Sequence, residues 1–487
     1  MLKTISQTEA RRLRDFLQEA GYEESGLRKR GFFNELPSSR LRNMPRLLDS
    51  TSERNLLNLL LRWFWIGIPY EAALATELVP PWFLTLALSC GLLRQDGDSI
   101  VPEVMLFPVE GFLVTADHTT KIDANDPELV LWPNPTTRFL SRFTVRRHSR
   151  ATLDLGTGNA MQALSAAAHS DTVVATDLNP RAVNFAQFTA RLNGKENIEA
   201  LVGDGFAPVA GRKFDLIVSN PPFFISPSGR YMFCDNPMDL DGLCRQFVKN
   251  APNYLEEGGY FQLLCEWAGV RGQPWRERIG EWLEGSGCDA WVIMGHTQDP
   301  AEYAQHRIAE TASAGSRDDA ELYSTHMAYY RERNVEAIHD GIIALRRRSG
   351  NNWTHIEEIS ELPNDPFGEY VQQAFSIRDF LQSHDTVEQL SGVKPRLAPY
   401  CRLEQFFQPG DGQWQPTSLN LRLLKGLPFF LGLQAPVAGF LLGCNGSKTV
   451  AELIHDFARQ VDAPFEQVQK ECLAIVHKLI ERGFLLC

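Results

Sequence analysis

The sequence predicts an α/β protein whose core is a doubly wound sheet with helices on both faces. Apolar runs of strand length alternate with helical patterns from residue 151 to about residue 360, and this alternation is typical of such a sheet. A glycine-rich turn follows the first run, and a rigid Asn-Pro-Pro-Phe segment follows the fourth. The seven predicted strands are Ala151 to Leu155, Thr172 to Thr176, Ile198 to Val202, Phe214 to Ser219, Tyr260 to Glu266, Ala290 to Met294 and Ile338 to Arg346.

The length of the chain indicates several domains. A chain of 487 residues is too long for one compact core, so we expect three domains, at residues 1–125, 126–360 and 361–487. Hydrophobic residues make up 44% and charged residues 22% of the sequence, which is ordinary for a folded, soluble protein. The segment between His296 and Asn334 is too long for a tight connection and predicts a helical insertion.

The N-terminal flank predicts a small helical module. Helical patterns cover Ser52 to Ile66, Tyr70 to Leu78 and Pro81 to Ser89, and Leu92 to Val101 has the pattern of a hairpin. Three helices and a hairpin describe a winged-helix module, which binds nucleic acid in some proteins and only packs in many others. Because no basic recognition helix is visible, we favour the packing role.

The C-terminal flank repeats this plan. Thr449 and Glu452 form a capping-box pattern before a helix, Pro464 opens a second helix, and Gly483 ends it. The tail therefore predicts a second winged-helix-like domain.

Two arginine-rich segments are candidates for nucleic-acid contact. The formal net charge of −12 gives no general attraction to nucleic acid or to an anionic membrane, so such contact needs a local patch. The solvated face of a helix explains these runs at least as well. They consist of Arg11, Arg12, Arg14, Arg28, Lys29, Arg30, Arg40, Arg42 and Arg46, and of Arg138, Arg142, Arg146, Arg147 and Arg150.

The cysteine pattern indicates a reduced, cytoplasmic protein. The nine cysteines show no spacing that would close a zinc site, so we expect no metal. The first residues lack the apolar core of a signal peptide, and prolines and glycines interrupt the apolar stretch from Leu427 to Gly443. We therefore expect no membrane association.

Acidic residues follow three successive predicted strands. The first strand runs into Asp154-Leu155-Gly156-Thr157-Gly158-Asn159-Ala160, where glycines allow a sharp turn close to a ligand. Asp177 ends the second strand and can accept hydrogen bonds from both hydroxyls of a ribose, and Asp204 after the third can accept from an adenine amino group. Each carboxylate alone is explained as well by a helix cap or a loop. In series they predict a site for an adenosine-containing cofactor.

The fourth strand ends in Asn220-Pro221-Pro222-Phe223. Each proline fixes its own torsion and restrains the residue before it, so Asn220 is held rigidly. Its side-chain carbonyl and a neighbouring main-chain carbonyl can accept both hydrogens of a planar amino group, while Phe223 stacks on the flat substrate. Such an arrangement orients a weakly nucleophilic nitrogen without a strong base. A merely rigid turn is the alternative, and the preceding glycine turn argues against it.

Together these residues resemble the class I, Rossmann-like methyltransferases that methylate amino nitrogens. The resemblance covers residues 134–266 well and implies a seven-stranded core and the cofactor S-adenosylmethionine. Within this group the chain is most similar to HemK-type release-factor glutamine methyltransferases, through Leu131-Trp132-Pro133-Asn134-Pro135 before the core and Asp241-Gly242-Leu243 after the signature. The resemblance implies cofactor contacts at Asp154, Gly156, Gly158, Asp177, Leu178, Asp204, Gly205 and Asn220, and catalytic residues Asn220, Pro221, Pro222 and Phe223.

Two departures from the family pattern leave the substrate open. Ala160 stands where a third glycine is often found, which is a tolerable change to a small residue. Phe223 replaces the tyrosine usual in HemK-type enzymes, and phenylalanine is familiar in relatives that methylate adenine or guanine in ribosomal RNA. We therefore expect an N-methyltransferase for a macromolecule of translation, acting either on a protein glutamine or on an RNA base.

Two other functions stay possible on the sequence. One is a cofactor-binding regulatory or assembly protein without turnover, against which the intact Asn220 to Phe223 segment argues. The other is a small-molecule N-methyltransferase, for which the two flanking modules have no evident use.

Overall fold

The computed structural model describes residues 1–32, 40–118, 121, 126–227, 232–236, 238–311, 319–359 and 366–487. These residues form two compact units, Met1–Glu358 and Ile359–Cys487. The three-domain division with a boundary at residue 125 stays a prediction. The nine cysteines are all free thiols.

The first unit begins with a mainly helical part. The helices and the hairpin predicted there are present, except that Tyr70 and Glu71 form a short strand instead of starting a helix. The winged-helix assignment stays a prediction. The elements are α1 (Gln7–Glu19), α2 (Glu24–Lys29), α3 (Arg40–Ser50), α4 (Leu56–Leu60) with a π-helical continuation (Leu61–Ile66), β1 (Tyr70–Glu71), α5 (Ala72–Leu78), α6 (Pro81–Cys90), β2 (Leu93–Asp96), β3 (Ser99–Pro102), β4 (Met105–Val109) and β5 (Phe112–Ala116). Strands β1, β3 and β2 form one antiparallel sheet in that order, and β4 pairs with β5.

The rest of the first unit is an eight-stranded sheet with helices on both faces. The elements are α7 (Pro135–Phe143), β6 (Ser149–Leu155), α8 (Met161–Ala166), β7 (Ser170–Asp177), α9 (Pro180–Leu192), β8 (Ile198–Val202), β9 (Phe214–Ser219), α10 (Gly242–Asn250), β10 (Leu255–Val270), α11 (Trp275–Leu283), β11 (Cys288–Gln298), α12 (Pro300–Thr311), α13 (Asp319–Glu332), β12 (Val335–Arg347) and β13 (Thr354–Glu358). The strand order is β13-β11-β12-β10-β9-β6-β7-β8, in which β12 is antiparallel to both neighbours and the other pairs are parallel.

All seven predicted strands are present, but the predicted strand number of seven is wrong. Thr354–Glu358 adds an eighth strand parallel to β11 at the edge of the sheet. Its sequence, Thr-His-Ile-Glu-Glu, is polar and lacks the apolar run by which the central strands were recognised. The predicted helical insertion is confirmed as α12 and α13.

The strand order changes direction between β6 and β9. From β6 the chain adds β7 and then β8 on one side, and it then returns to place β9 on the other side of β6. In doubly wound sheets the crevice at such a reversal, at the carboxyl ends of the strands, is where ligands bind. The glycine turn and Asn220 both lie at this point.

The N-terminal helical part packs on α9 and shares its core. Phe185, Phe188 and Leu192 of α9 belong to the same buried cluster as the N-terminal side chains. Asn184 pairs with both backbone groups of Leu2, at 2.8 and 2.9 Å. Asn193 pairs in the same way with Leu113, at 2.9 and 2.8 Å. The N-terminal part is therefore attached firmly to the face of the sheet that α9 covers.

The second unit combines helices with a three-stranded antiparallel sheet that the sequence did not predict, whose strands lie in the order Cys401–Gly410, Gln413–Leu423 and Phe430–Leu433. The capping box of Thr449 and Glu452 is confirmed, and Gly483 has φ +78° where the last helix ends. No helix among the described residues is long and apolar enough to span a membrane. The elements are α14 (Gly368–Ser383), α15 (Val387–Gly392), β14 (Arg396–Leu397), β15 (Cys401–Gly410), β16 (Gln413–Leu423), β17 (Phe430–Leu433), α16 (Ala435–Gly443), α17 (Val450–Gln460), α18 (Phe465–Glu481) and β18 (Leu485–Leu486).

Candidate active site

The sheet brings the predicted site residues to one edge. In the parallel register Leu155 lies opposite Thr176 on one side and opposite Ser219 on the other. Asp177 lies opposite Val202 on the next strand. The carboxyl ends of β6, β7, β8 and β9 are therefore level, and the residues that follow them share one crevice.

The glycine turn after β6 leaves open space beside its backbone. Gly156 and Gly158 have φ values of +74° and +52°, a left-handed conformation that favours glycine, and a Cβ built on either would meet no atom within 4 Å. The N–H of Gly158 donates to Asp177 Oδ2 at 2.8 Å. The turn is thus fixed to the end of β7 and has room for a ligand against its backbone.

Asp154 holds the turn from beneath. Its Oδ2 accepts from Thr157 Oγ1 at 2.6 Å and from the N–H of Ala163 at 2.9 Å. The carboxyl group is buried, and this burial raises its pKa to about 7. Asp154 therefore has a structural role in shaping the turn, whatever contact it makes with a ligand.

Ala160 takes the place of the frequent third glycine and adopts the conformation that a glycine would favour. Its φ is +68°, and its side chain is fully buried among Ala163, Ala166 and Ala186. A left-handed conformation costs a non-glycine residue roughly 1–2 kcal/mol. The change to alanine is accommodated because the methyl group packs in this small-residue cluster.

Apolar side chains frame the acidic residues at the ends of β7 and β8. Asp177 Oδ1 accepts from the N–H of Asn179 at 2.9 Å, and burial raises its pKa. Leu178 is 56% exposed and Val202 is 52% exposed, which is unusual for such residues next to a buried sheet. Asp204 is also exposed, and Gly205 follows it with φ +51°. Val202 was not predicted as a site residue, because in the sequence a valine that ends a strand resembles any core residue.

Asn220 has an oriented side chain with one unused acceptor. Its Nδ2 donates to Thr137 Oγ1 at 3.4 Å, and Thr137 Oγ1 in turn donates to Asn134 Oδ1 at 2.9 Å. Asn220 Oδ1 is buried and accepts no hydrogen bond from any described residue. A buried carbonyl without a donor costs free energy unless a ligand supplies one. Thr137 was missed by the sequence reading, because nothing local marks it as a partner of Asn220.

Phe223 lies deeper than the sequence suggested. It is only 8% exposed, and its ring packs edge-to-face on Phe224 with centroids 5.6 Å apart. The stacking of Phe223 on a flat substrate stays a prediction. Pro221 and Pro222 separate this ring from Asn220 by a short rigid segment.

The segment before α7 lies across the glycine turn. Asn159 Nδ2 donates to the carbonyl of Leu131 at 2.8 Å, and Asn179 Nδ2 donates to the carbonyl of Glu128 at 2.8 Å. The first bond fastens Leu131, at the start of the segment that carries the family resemblance, to the turn after β6, and the second fastens the preceding Glu128 to the turn after β7.

The arginines of the two basic segments contact the protein itself. Arg14 donates to the carbonyl of Leu192, and Arg147 to that of Gly258. Arg28 pairs with Glu24. The side chains of Arg40 and Arg42 lie outside the described residues. These contacts favour a packing role, and contact with nucleic acid stays a prediction.

Among the described residues no group of three or more His, Cys, Asp or Glu is placed to hold a metal ion.

Comparison with known proteins defines the class of the core. Residues 134–268 match the family model of the methyltransferase small domain. This part of the chain, with its Rossmann-like sheet, is a methyltransferase domain. Residues 372–487 match a family described only as a domain of unknown function.

Curated relatives act on components of translation, according to their names. The release factor glutamine methyltransferase of Aliivibrio fischeri is 36% identical over 186 residues, which cover 37% of this chain and 58% of the relative. That of Geobacter sulfurreducens is 33% identical over 150 residues, covering 28% and 52%. The ribosomal protein L11 methyltransferase of Mesorhizobium japonicum is 47% identical over 87 residues, covering 17% and 30%. The chain thus spans less than two thirds of the length of each of these relatives.

Proposed function

We propose that this chain transfers a methyl group from S-adenosylmethionine to a planar amide nitrogen, the side-chain nitrogen of a glutamine in a protein of translation. The observation that carries the proposal is Asn220 Oδ1, a buried acceptor without a donor at the carboxyl edge of the sheet. An amide NH2 group is the kind of donor that this oxygen lacks.

The residues at the carboxyl ends of β6, β7 and β8 fit an adenosine-containing cofactor. The open space beside Gly156 and Gly158 suits close approach of a ligand to the backbone. Asp177 would accept hydrogen bonds from ribose hydroxyls, exposed Leu178 and Val202 would offer apolar surface to an adenine ring, and exposed Asp204 with Gly205 would contact the polar edge of that ring. When bound, the cofactor supplies a methyl group on a positively charged sulfur.

Asn220 and its neighbours orient the accepting nitrogen. An amide nitrogen is a poor nucleophile because its lone pair is delocalised. Asn220 Oδ1 accepts a hydrogen bond from one of its hydrogens and a neighbouring main-chain carbonyl accepts from the other, which holds the nitrogen in place and favours its rehybridisation. Thr137 keeps Oδ1 pointing at the substrate by accepting from Nδ2. As the nitrogen gains the methyl group it releases one proton to solvent, so no side chain at the carboxyl edge of the sheet is needed as a strong base.

The relatives support a protein substrate. Two of the three reported relatives are named as release factor glutamine methyltransferases and the third as a ribosomal protein methyltransferase. We therefore place the glutamine amide ahead of an exocyclic amine of an RNA base.

A labelling experiment tests the proposal. The full chain is incubated with cofactor carrying a radioactive methyl group and with separated release factors, ribosomal proteins and RNA. We expect label in a protein fraction, recovered as N5-methylglutamine after digestion, and loss of label with Asn220→Ala. The control is Asn250→Ala, which removes an asparagine whose Nδ2, among the described residues, bonds only to the carbonyl of Gln246 in its own helix. Label in RNA would replace the glutamine assignment, and label in no fraction would refute methyl transfer to translation components.

A further inference from the structure

The helical insertion, α12 and α13, forms hydrogen bonds with the backbone just beyond the Asn-Pro-Pro-Phe segment. Tyr303 on α12 and Tyr330 on α13 contact the two polar backbone groups of Ile225. The Ile225 N–H donates to Tyr303 Oη at 3.2 Å, and Tyr330 Oη donates to the Ile225 carbonyl at 2.8 Å. All three residues are almost completely buried. The backbone at Ile225 is thus fixed from both sides by side chains distant in sequence.

The buried carboxylate of Glu266, which pairs with the partly buried Arg307, sets the direction of these hydrogen bonds. The Tyr303 hydroxyl donates to Glu266 Oε2, so its oxygen is left to accept from the Ile225 N–H. Glu266 Oε1 lies 3.0 Å from Arg307 Nη2, and the Arg307 guanidinium lies 3.7 Å from the centre of the Phe224 ring. These side chains therefore contact two consecutive residues, Phe224 and Ile225. We call the group formed by Tyr303, Tyr330, Glu266 and Arg307 the anchor.

Glu266 is well placed for this because β10 extends past the end of β9. The last residue of β10 paired with β9 is Leu263, opposite Ser219, whereas β10 continues to Val270. At about 3.3 Å per residue, Glu266 lies roughly 10 Å beyond that level. The extension gives the segment after Asn220 a rigid wall to pack against.

The same insertion also holds the far end of the loop. Tyr329 Oη accepts from the N–H of Leu240 at 2.9 Å and donates to Asp239 Oδ1 at 3.1 Å. Arg333 pairs with the same carboxylate at 2.5 Å. The insertion therefore contacts the loop where it leaves the sheet edge and where it enters α10.

We propose that Tyr303 and Tyr330 are positioning residues for methyl transfer, acting through the Ile225 peptide group on the placement of Asn220. The inference rests on the proposed function of Asn220. Because Pro221 and Pro222 stiffen the segment between them, a backbone shift at Ile225 is transmitted to Asn220 rather than absorbed.

Tyr303→Phe and Tyr330→Phe test the proposal, since each removes only a hydroxyl. Tyr323→Phe is the matched control, because Tyr323 lies on α13 and its hydroxyl makes no hydrogen bond that the described residues show. Three quantities are measured: hydrogen exchange of the peptide that contains residues 220–226, the dissociation constant of S-adenosylhomocysteine, and kcat for the labelled substrate. Exchange and cofactor binding need no substrate.

For each test variant we expect faster exchange in this peptide and a cofactor dissociation constant within about twofold of wild type. We expect kcat to fall about 10- to 100-fold, because a misplacement of about 1 Å can cost on the order of 100-fold. Tyr323→Phe should change none of them. Unchanged exchange would overturn the anchor, and faster exchange with unchanged kcat would overturn the positioning role. If the wild type itself transfers no label, the proposed function fails first, and the positioning role fails with it.

Discussion

The hydroxyl of Thr137 lies 3.4 Å from the side-chain nitrogen of Asn220 and donates its own proton to Asn134, 2.9 Å away. Because its proton is committed to Asn134, this hydroxyl can only accept from Asn220, which fixes Nδ2 toward Thr137 and Oδ1 toward the crevice. The helix cap at Asn134 and the proposed catalytic amide are thus parts of one hydrogen-bonded chain.

Thr137→Val should lower methyl transfer without affecting cofactor binding. The substitution keeps the shape of the side chain and removes the acceptor that orients Asn220, so we expect kcat to fall about tenfold or more. Thr136→Val is a close control, because the Thr136 hydroxyl donates to the same Asn134 Oδ1 at 2.7 Å but does not reach Asn220. Equal losses in both variants would mean that the helix cap, and not the orientation of Asn220, is responsible.

Leu178→Ser should weaken cofactor binding and leave stability nearly unchanged. Leu178 is 56% exposed, so the fold gains little from its burial, whereas an adenine ring packed on it would cover it. Full burial of a leucine side chain is worth about 1.5–3 kcal/mol, and partial cover should therefore give roughly a tenfold weaker dissociation constant for S-adenosylhomocysteine by calorimetry. Leu424→Ser, at an exposed leucine of the second unit, serves as control. An unchanged dissociation constant would remove Leu178 from the cofactor site.

Ala160→Gly and Ala160→Val should have very different effects on stability. Glycine relieves the left-handed strain of roughly 1–2 kcal/mol but loses a buried methyl group worth about 0.8 kcal/mol, so we expect a change within about 1 kcal/mol. Valine keeps the strain at φ +68° and overfills a fully buried position, which should cost about 3 kcal/mol. Urea midpoints measure both. Similar losses of stability in the two variants would show that the left-handed backbone conformation does not decide which residues position 160 tolerates.

The sequence predicted the centre of the fold better than its edges. Strands such as Leu216–Val218 are buried runs of apolar residues, and such runs are visible in the sequence alone. The edge strand at Thr354–Glu358 and the exposed sheet of the second unit are polar or mixed, so no periodic signal marked them.

The sequence predicted the turns that form the candidate site, but not the distant side chains that hold those turns in place. Glycines, acidic strand ends and Asn-Pro-Pro-Phe are local patterns. The contact of Thr137 with Asn220 spans 83 residues, and those of Tyr303 and Tyr330 with Ile225 span 78 and 105. Contacts of this kind depend on how the sheet and the insertion pack, which one sequence does not reveal.

Asp154 should make the stability of the first unit depend on pH in an unusual direction. Burial raises its pKa to about 7 in the folded chain, whereas an unfolded aspartate has a value near 3.8. Between these values the unfolded chain releases a proton that the folded chain keeps, so the free energy of unfolding falls as the pH rises from 4 to 7. Over about three pH units the free energy of unfolding falls by on the order of 4 kcal/mol, and it levels off once the folded carboxyl group also ionises.

The variant Asp154→Asn tests this prediction, because it keeps an acceptor for Thr157 and Ala163 and cannot ionise. Its urea midpoint should therefore match wild type, within a constant offset, near pH 4 and exceed that baseline increasingly toward pH 7. A gap between the two proteins that stays constant across this range would mean that Asp154 is already ionised in the folded chain.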